Sequence, residues 1–181
     1  MKRYSFCPVC GASLAGRAEG SAPVDVIVCG SCGFHFWQNS KPAVAVILLR
    51  EIGHDRQVLL TKRGVEPYKG QWDFPGGFLG NAELPGDGIL RELREELGVD
   101  VSNPRFFAAE IEQYNAEDIA ETARFVLSLF YICDVPADAS FTPEDDVVEA
   151  AWFSLQKLPP EIAFGANRRA LAKLSAFYRT A

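Results

Sequence analysis

The sequence lacks a long hydrophobic run and any excess of basic residues. Its longest apolar stretch, from Pro42 to Leu49, has the length of a buried strand and is too short for a helix that crosses a bilayer. No apolar segment precedes Cys7, as a secretory signal peptide would require. We therefore expect a cytoplasmic protein with no membrane partner.

The charge balance is acidic, with 24 Asp and Glu against 18 Lys and Arg and a formal net charge of -6. Because an acidic surface repels the phosphate backbone of nucleic acids, we do not expect a nucleic-acid partner. A small polyanion could still bind if divalent cations lie between it and the protein. The hydrophobic fraction of 48% is high enough for a packed core and argues against a disordered chain.

Four of the five cysteines form two Cys-x2-Cys pairs: Cys7 and Cys10, then Cys29 and Cys32. Gly11 and Gly33 follow the two pairs directly, and glycine there permits a tight turn around a metal-bound sulfur. Four thiolates fit tetrahedral Zn²⁺ and leave no open position, which is typical of a structural site. The spacing favours zinc over disulfides or inert thiols. The surrounding segment is too small to fold without the metal.

The pattern changes near Ser40, so we divide the chain into a zinc ribbon, residues 1–40, and a second domain, residues 41–181. In the second domain, apolar runs predict strands over residues 43–49, 57–62, 105–112, 123–133 and 147–153. Amphipathic patterns predict helices over residues 87–97 and 166–178. This order of elements predicts an α+β fold, in which a mixed β-sheet is flanked by helices.

The first predicted helix carries a cluster of glutamates. Glu92, Glu95 and Glu96 are spaced i, i+3 and i+4, which brings their side chains to one face. Carboxylates this close repel one another unless a hard cation such as Mg²⁺, Mn²⁺ or Ca²⁺ binds them. Taken alone, three such glutamates are also typical of a solvated helix face, so both interpretations stay open at this point.

The residues around the glutamates follow a longer pattern. Five residues separate Gly77 from Glu83, seven separate Glu83 from Arg91, and the chain then reads Glu-Leu-Arg-Glu-Glu-Leu-Gly-Val. This resembles the Nudix box, G-x5-E-x7-R-E-U-x-E-E-x-G-U with U aliphatic, at every specified position. The preceding Gly-Gln-Trp-Asp-Phe-Pro-Gly-Gly and the later Trp-Phe-Ser-Leu are also similar to that family. The resemblance covers residues 42–160, and only the start of the helix departs from it.

The resemblance implies a pyrophosphohydrolase that uses Mg²⁺ or Mn²⁺ and a water nucleophile. By position, the metal ligands would be Glu92, Glu95 and Glu96. Glu83 and Arg91 would support the loop and the helix by hydrogen bonds and ion pairing. The turn at Gly76 and Gly77 would let the backbone approach the metal and the substrate closely.

The resemblance does not fix the general base. Outside the box, the candidates are the loop acids Glu117, Glu121, Glu144, Asp146 and Glu149. Each of them is equally typical of an acid that faces solvent.

A zinc ribbon before such a domain resembles the NADH pyrophosphatase branch and a shorter group that acts on ADP-ribose or FAD. The Ser-Gln-Pro-Trp-Pro-Phe array of the NADH branch does not occur between Val99 and Cys133. We therefore expect a small nucleotide substrate such as ADP-ribose or FAD, and a homodimer would suit the family. The alternatives are a nucleoside triphosphate or RNA-cap pyrophosphohydrolase, and a nucleotide sensor without catalytic activity.

Overall fold

The computed structural model describes residues 5–14, 26–37, 39–114 and 124–179. In these ranges the elements are, in chain order, β1 (Val26–Val28), β2 (His35–Trp37), β3 (Lys41–Ile52), β4 (Asp55–Arg63), β5 (Trp72–Asp73), β6 (Gly76–Phe78), α1 (Pro85–Leu97), β7 (Arg105–Tyr114), β8 (Arg124–Asp134), β9 (Val147–Ser154) and α2 (Gly165–Arg179).

The chain divides into two compact units. One consists of Met1–Lys41 and Gln113–Phe125, and the other of Pro42–Glu112 and Val126–Ala181. In the first unit, β1 and β2 pair antiparallel, with Ile27 opposite Phe36. The second unit holds most of the larger sheet and both helices.

Strand β3 is the centre of the second unit, because it contributes to two hydrophobic cores. One core contains Ala45, Ile47 and Leu49 of β3 together with Ala166, Ala170, Leu171 and Leu174 of α2. The other contains Val44, Val46 and Leu48 of β3 together with Ile89, Leu93 and Leu97 of α1. Successive side chains of a strand point to opposite faces, so an uninterrupted apolar run is what a strand covered on both faces needs. The predicted α+β fold, a mixed sheet flanked by helices, is confirmed.

The pairing of the strands brings a glycine-containing segment beside β3. The sheet has the strand order β5-β4-β3-β8-β7, with β6 paired to β3 and β9 paired to β4. In the β3–β6 pair, Gly76 lies opposite Ala45. Gly76 has a φ of 142°, and a Cβ at this position would lie 2.2 Å from the carbonyl oxygen of Val44. Only glycine fits here, and it lets β6 run close to β3.

The predicted strands and helices are present, with small shifts at their ends. Helix α1 begins at Pro85, earlier than the predicted Asp87, because proline is well suited to the first turn of a helix, where its missing N–H leaves no bond unmade. Strand β6 was not predicted, since its glycines had indicated irregular structure. In the described part of the chain, neither helix is long and apolar enough to cross a membrane.

Candidate active site

Helix α1 presents its glutamates in two different environments. Glu92 and Glu96 are buried, with 9% and 7% of their surface exposed. The side chain of Glu95 is 48% exposed. The helix ends at Gly98, whose N–H donates to the carbonyl oxygen of Arg94 at 3.1 Å and whose φ of 67° stops the helix. The buried pair therefore lies in the second half of a well-terminated helix.

The two glycines of β6 lie against these buried carboxylates. The backbone N–H of Gly76 donates to Oε2 of Glu96 at 2.9 Å. A Cβ at Gly77 would lie 2.4 Å from Oε1 of Glu92. The absence of a side chain at Gly77 is what allows β6 to approach the acidic face of α1.

The guanidinium of Arg91 binds three carboxylates at once. It donates to both oxygens of Glu83, from Nε at 2.7 Å and from Nη2 at 2.9 Å. Its Nη1 donates to Glu92 at 2.7 Å and to Glu95 at 2.9 Å. A further bond from Nη2 reaches the carbonyl oxygen of Phe78 at 3.1 Å. Arg91 therefore ties the loop before α1 to two of the three glutamates on the helix.

The carboxylates of this site have pKa values that differ widely. The bonds from Arg91, together with the N–H of Gly80, lower the pKa of Glu83 to about 2. Burial raises the pKa of Glu96 to about 9, despite the bond from Gly76, and the negative charge of Glu92 adds to this rise. Burial also raises the pKa of Glu92, although Arg91 acts in the opposite direction. Burial therefore disfavours the charged form of both carboxylates, although Arg91 lies 2.7 Å from Glu92.

The carboxylate oxygens of Glu92 and Glu96 that accept no hydrogen bond from the described residues fit a hard divalent cation. Among the described residues, no group donates a hydrogen bond to Oε1 of Glu96 or to Oε2 of Glu92. Buried carboxylate oxygens without a donor are costly, and Mg²⁺ and Mn²⁺ prefer oxygen ligands of this kind. Glu95 is more exposed than this pair, but its Oε2 accepts from the same Nη1 of Arg91 as Oε1 of Glu92, so these two carboxylates lie close together.

The structure separates the loop acids that were considered as a general base. Glu117 and Glu121 lie outside the described residues. Glu149 is bound to Lys62 at 2.9 Å on an exposed part of β9. The N–H of Glu144 donates to the carbonyl oxygen of Glu96 at 2.9 Å, and the charge of Asp146 contributes to the raised pKa of Glu96. The loop of residues 144–146 therefore lies beside α1.

A buried acid on β5 was missed by the sequence analysis. Asp73 is 9% exposed, and its Oδ2 accepts a hydrogen bond from Nη1 of Arg63 at 2.8 Å. Its Oδ1 accepts from the N–H of Phe74 at 2.8 Å and from the side-chain amide of Asn167. Burial raises the pKa of Asp73 to about 6 even with Arg63 beside it. An acid inside the otherwise apolar run Trp-Asp-Phe was the signal that could have identified it.

In the first unit, the four paired cysteines form one cluster. The Sγ atoms of Cys7 and Cys32 are 3.7 Å apart, and those of Cys10 and Cys29 are 3.6 Å apart. All four Sγ atoms lie within 4.8 Å of one another, and none is in a disulfide. A tetrahedral zinc site with Zn–S bonds of ~2.3 Å has sulfurs ~3.8 Å apart, whereas bonded sulfurs are ~2.0 Å apart. The cluster therefore fits a tetrahedral metal ion.

The backbone around the cluster has the same form at both cysteine pairs. The N–H of Gly11 donates to the carbonyl oxygen of Cys7 at 2.9 Å, and that of Gly33 to Cys29 at 2.8 Å. The two glycines have φ values of 70° and 74°, which other residues rarely adopt. The N–H groups of Cys32 and Ser31 lower the pKa of the Cys29 thiol to about 6. A thiolate, the form that binds metal, is favoured there.

Comparison with known proteins agrees with this geometry. Residues 39–174 match the model of the NUDIX domain, a range that includes β3, α1 and most of α2. The chain belongs to the Nudix family.

Among the proteins similar to this Nudix chain are two sequence relatives and one solved structure. The NAD-capped RNA hydrolase NudC of Pseudomonas aeruginosa is 27% identical over 155 residues, which are 86% of this chain and 49% of that protein. The ADP-ribose pyrophosphatase of Methanocaldococcus jannaschii is 33% identical over 123 residues, which are 68% of each chain. A NUDIX hydrolase from Nitrosomonas europaea has a crystal structure with a TM-score of 0.71 and 26% identity, over 98% of this chain and 93% of that one. The chain thus spans about half the length of its Pseudomonas relative.

Proposed function

We propose that this chain is a metal-dependent pyrophosphohydrolase that cleaves the diphosphate linkage of a nucleoside diphosphate derivative, with ADP-ribose, FAD or a similar dinucleotide as substrate. The observation that carries the proposal is the buried pair Glu92 and Glu96, whose open oxygens lie beside the glycines of β6. Membership of the Nudix family and a relative named as an ADP-ribose pyrophosphatase support it.

The residues of the site have different roles. Glu92, Glu95 and Glu96 hold Mg²⁺ or Mn²⁺, which when bound offsets the charge of the diphosphate and makes a water easier to deprotonate. Gly76 orients Glu96 through its N–H, and Gly77 leaves room for Glu92. Arg91 and Glu83 keep the loop before α1 in place. An acid of the loop of residues 144–146 serves as the general base.

The first unit supplies structure rather than chemistry in this proposal. Residues 1–40 form a zinc ribbon in which Cys7, Cys10, Cys29 and Cys32 bind Zn²⁺, and residues 41–181 form the hydrolase domain. A site made of four cysteines leaves no open coordination position for a substrate or a water.

A substrate panel tests the proposed function. Purified protein is given ADP-ribose, FAD, NADH, nucleoside triphosphates and an NAD-capped RNA, with Mg²⁺ and with EDTA. The release of AMP, of inorganic pyrophosphate and, from the capped RNA, of nicotinamide mononucleotide is measured. We expect Mg²⁺-dependent release of AMP from ADP-ribose or FAD. Turnover of the capped RNA alone would establish the second candidate, which the name of the Pseudomonas relative favours. Binding of these ligands without Mg²⁺-dependent turnover of any of them would contradict hydrolysis and indicate a sensor.

Replacing Arg91 with alanine is expected to lower turnover about tenfold, the lower end of the range for a residue that orients metal ligands. Its removal leaves Glu83, Glu92 and Glu95 without their shared cation, so the melting temperature should also fall. The pKa of Glu83, now about 2, should return toward 4.5. In the wild type, the ion pair of Glu83 and Arg91 stabilises the fold fully above pH 4.5 and no longer does so once the pH has fallen through about 2. The variant should lack this contribution to stability.

Arg94→Ala on the same helix is the matched control. Arg94 forms an ion pair with Asp100, and both side chains are well exposed, so its loss should leave turnover and melting nearly unchanged. If Arg91→Ala turns over substrate at the wild-type rate, the orienting role of Arg91 is wrong.

A further inference from the structure

Two aromatic residues that belong to neither core have an unusual backbone conformation. Tyr68, in the loop between β4 and β5, has a φ of 65°, and Phe164, directly before α2, has a φ of 57°. Bulky side chains rarely adopt positive φ, because Cβ then crowds the backbone. The two rings are 4.8 Å apart and meet edge to face at 74°, and both side chains are half-buried. Strain at two touching residues persists only where the surroundings enforce it, and it is concentrated at ligand sites.

Arg63 enforces this arrangement. Its Nε donates to the carbonyl oxygen of Pro67 at 2.8 Å, which fixes the residue before Tyr68. Its Nη1 donates to the buried Asp73 at 2.8 Å, and its guanidinium lies 5.0 Å from the ring centre of Phe164. A single, largely buried cation therefore holds the loop, the strand β5 and the second ring together.

Two backbone segments connect this aromatic pair to the candidate active site. Asp73 is followed by Phe74, Pro75 and Gly76, and Gly76 donates to Glu96. At the other end of the aromatic loop, the N–H of Gly64 donates to the carbonyl oxygen of Asp146 at 2.6 Å, in the loop proposed to carry the general base. Both ends of the loop that carries Tyr68 therefore lead to segments bonded to Glu96, Gly76 to its carboxylate and Glu144 to its carbonyl oxygen.

We propose that Tyr68 and Phe164 form the nucleobase subsite, in which the base of the substrate stacks on the ring of Tyr68 while Phe164 supports that ring from its edge. Stacking on an aromatic ring accepts any flat base, because every base has a π-face, so the subsite selects for a planar group rather than for one base. Arg63 is a positioning residue in this subsite. The proposal rests on the proposed function for the location of the diphosphate, but base binding can be measured by itself.

The test compares two ligands that differ only in the base. Binding of AMP and of ribose 5-phosphate to the full chain is measured by calorimetry with Mg²⁺ present. We expect the wild type to bind AMP about tenfold more tightly than ribose 5-phosphate. Tyr68→Leu should lose that preference and bind both ligands alike, Phe164→Leu should lose part of it, and Tyr68→Phe, which keeps the ring, should retain it.

Phe106→Leu is the matched control. Phe106 on β7 is 58% exposed and also meets a tyrosine edge to face, Tyr131 at 5.7 Å, so its loss should leave the AMP preference intact. Thermal melts are recorded for every variant, and if Tyr68→Leu does not fold, Phe164→Leu and the wild-type preference decide the question.

Three outcomes would overturn the subsite: no preference for AMP in the wild type, equal losses for Tyr68→Phe and Tyr68→Leu, or an equal loss of both ligands in the folded leucine variants. Turnover of ADP-ribose without any AMP preference would contradict the subsite alone. AMP preference without turnover of any substrate would contradict the proposed hydrolysis and leave the subsite standing.

Discussion

Replacing Glu96 with glutamine is expected to lower turnover about 100-fold or more while the protein stays folded, the scale of loss for one electrostatic stabiliser. An amide can still accept the hydrogen bond from the N–H of Gly76, so the shape of the site is kept. It lacks the negative charge that a divalent cation needs, so both metal affinity and stabilisation of the diphosphate fall. Steady-state turnover of ADP-ribose with a titration of Mg²⁺ measures both losses.

The melting temperature of the same variant separates a catalytic from a structural role. Burial raises the pKa of Glu96 from 4.5 to about 9 in the folded protein. The stability of the wild type that depends on a protonated Glu96 is therefore complete below pH 4.5 and is lost as the pH rises through about 9. Glutamine does not titrate. With EDTA present, Glu96→Gln should melt like the wild type at low pH, and its advantage over the wild type should grow as the pH rises from 4.5 toward 9.

Mg²⁺ should have the opposite effect on this comparison and favour the wild type over the variant. Because a ligand stabilises the state that binds it, Mg²⁺ should raise the melting temperature of the wild type more than that of Glu96→Gln. Glu51→Gln, the same chemical change in an exposed ion pair with Arg56 at the β3–β4 turn, should alter neither turnover nor melting. Unfolding of Glu96→Gln would show that the carboxylate is structural, and full turnover in a folded variant would remove Glu96 from the metal site.

Local sequence patterns predicted the strands and helices, because each of these elements depends on residues that are close along the chain. The uninterrupted run 43–49 indicated a buried strand, and β3 contributes to two cores. The spacing of Arg91 and Glu95 placed them one turn apart on a helix, and they form an i,i+4 ion pair at 2.9 Å. For α1, the predicted end at residue 97 agrees with the structure, where Gly98 caps the helix, whereas the helix begins at Pro85, two residues before the predicted start.

The contacts that shape the site could not be predicted from the sequence, because they join residues that are far apart along the chain. Asp73 meets Asn167, 94 positions later, and Gly64 meets Asp146 through backbone atoms that carry no residue signature. The positive φ of Tyr68 had no glycine or asparagine to indicate it. Helical spacing likewise could not show that Arg91 would join Glu92 and Glu95 to Glu83, since that depends on where the loop carrying Glu83 folds.

Removing the metal from the cysteine cluster is expected to unfold the zinc ribbon. The described core of this unit consists of Cys7, Leu14 and Cys29 with only Ala12 and Ile27 packed against them. So little apolar area cannot offset the entropy of ordering the segment, whereas structural zinc contributes about 10 kcal/mol or more at neutral pH. Protein purified without chelators should hold about one zinc per chain by elemental analysis, in keeping with a closed four-cysteine site.

Cys29→Ser should abolish this zinc, because the thiolate favoured by the N–H groups of Cys32 and Ser31 is lost and a serine hydroxyl is a poor ligand for zinc. Limited proteolysis should then cut within residues 1–41 of the variant, and a strong chelator should produce the same cuts in the wild type. Cys133→Ala is the control, because Cys133 is buried in the α1 core of the other unit, and it should keep its zinc and its resistance within residues 1–41. Zinc-free wild-type protein with an uncut ribbon would contradict the structural metal, since the segment would then be folding without it.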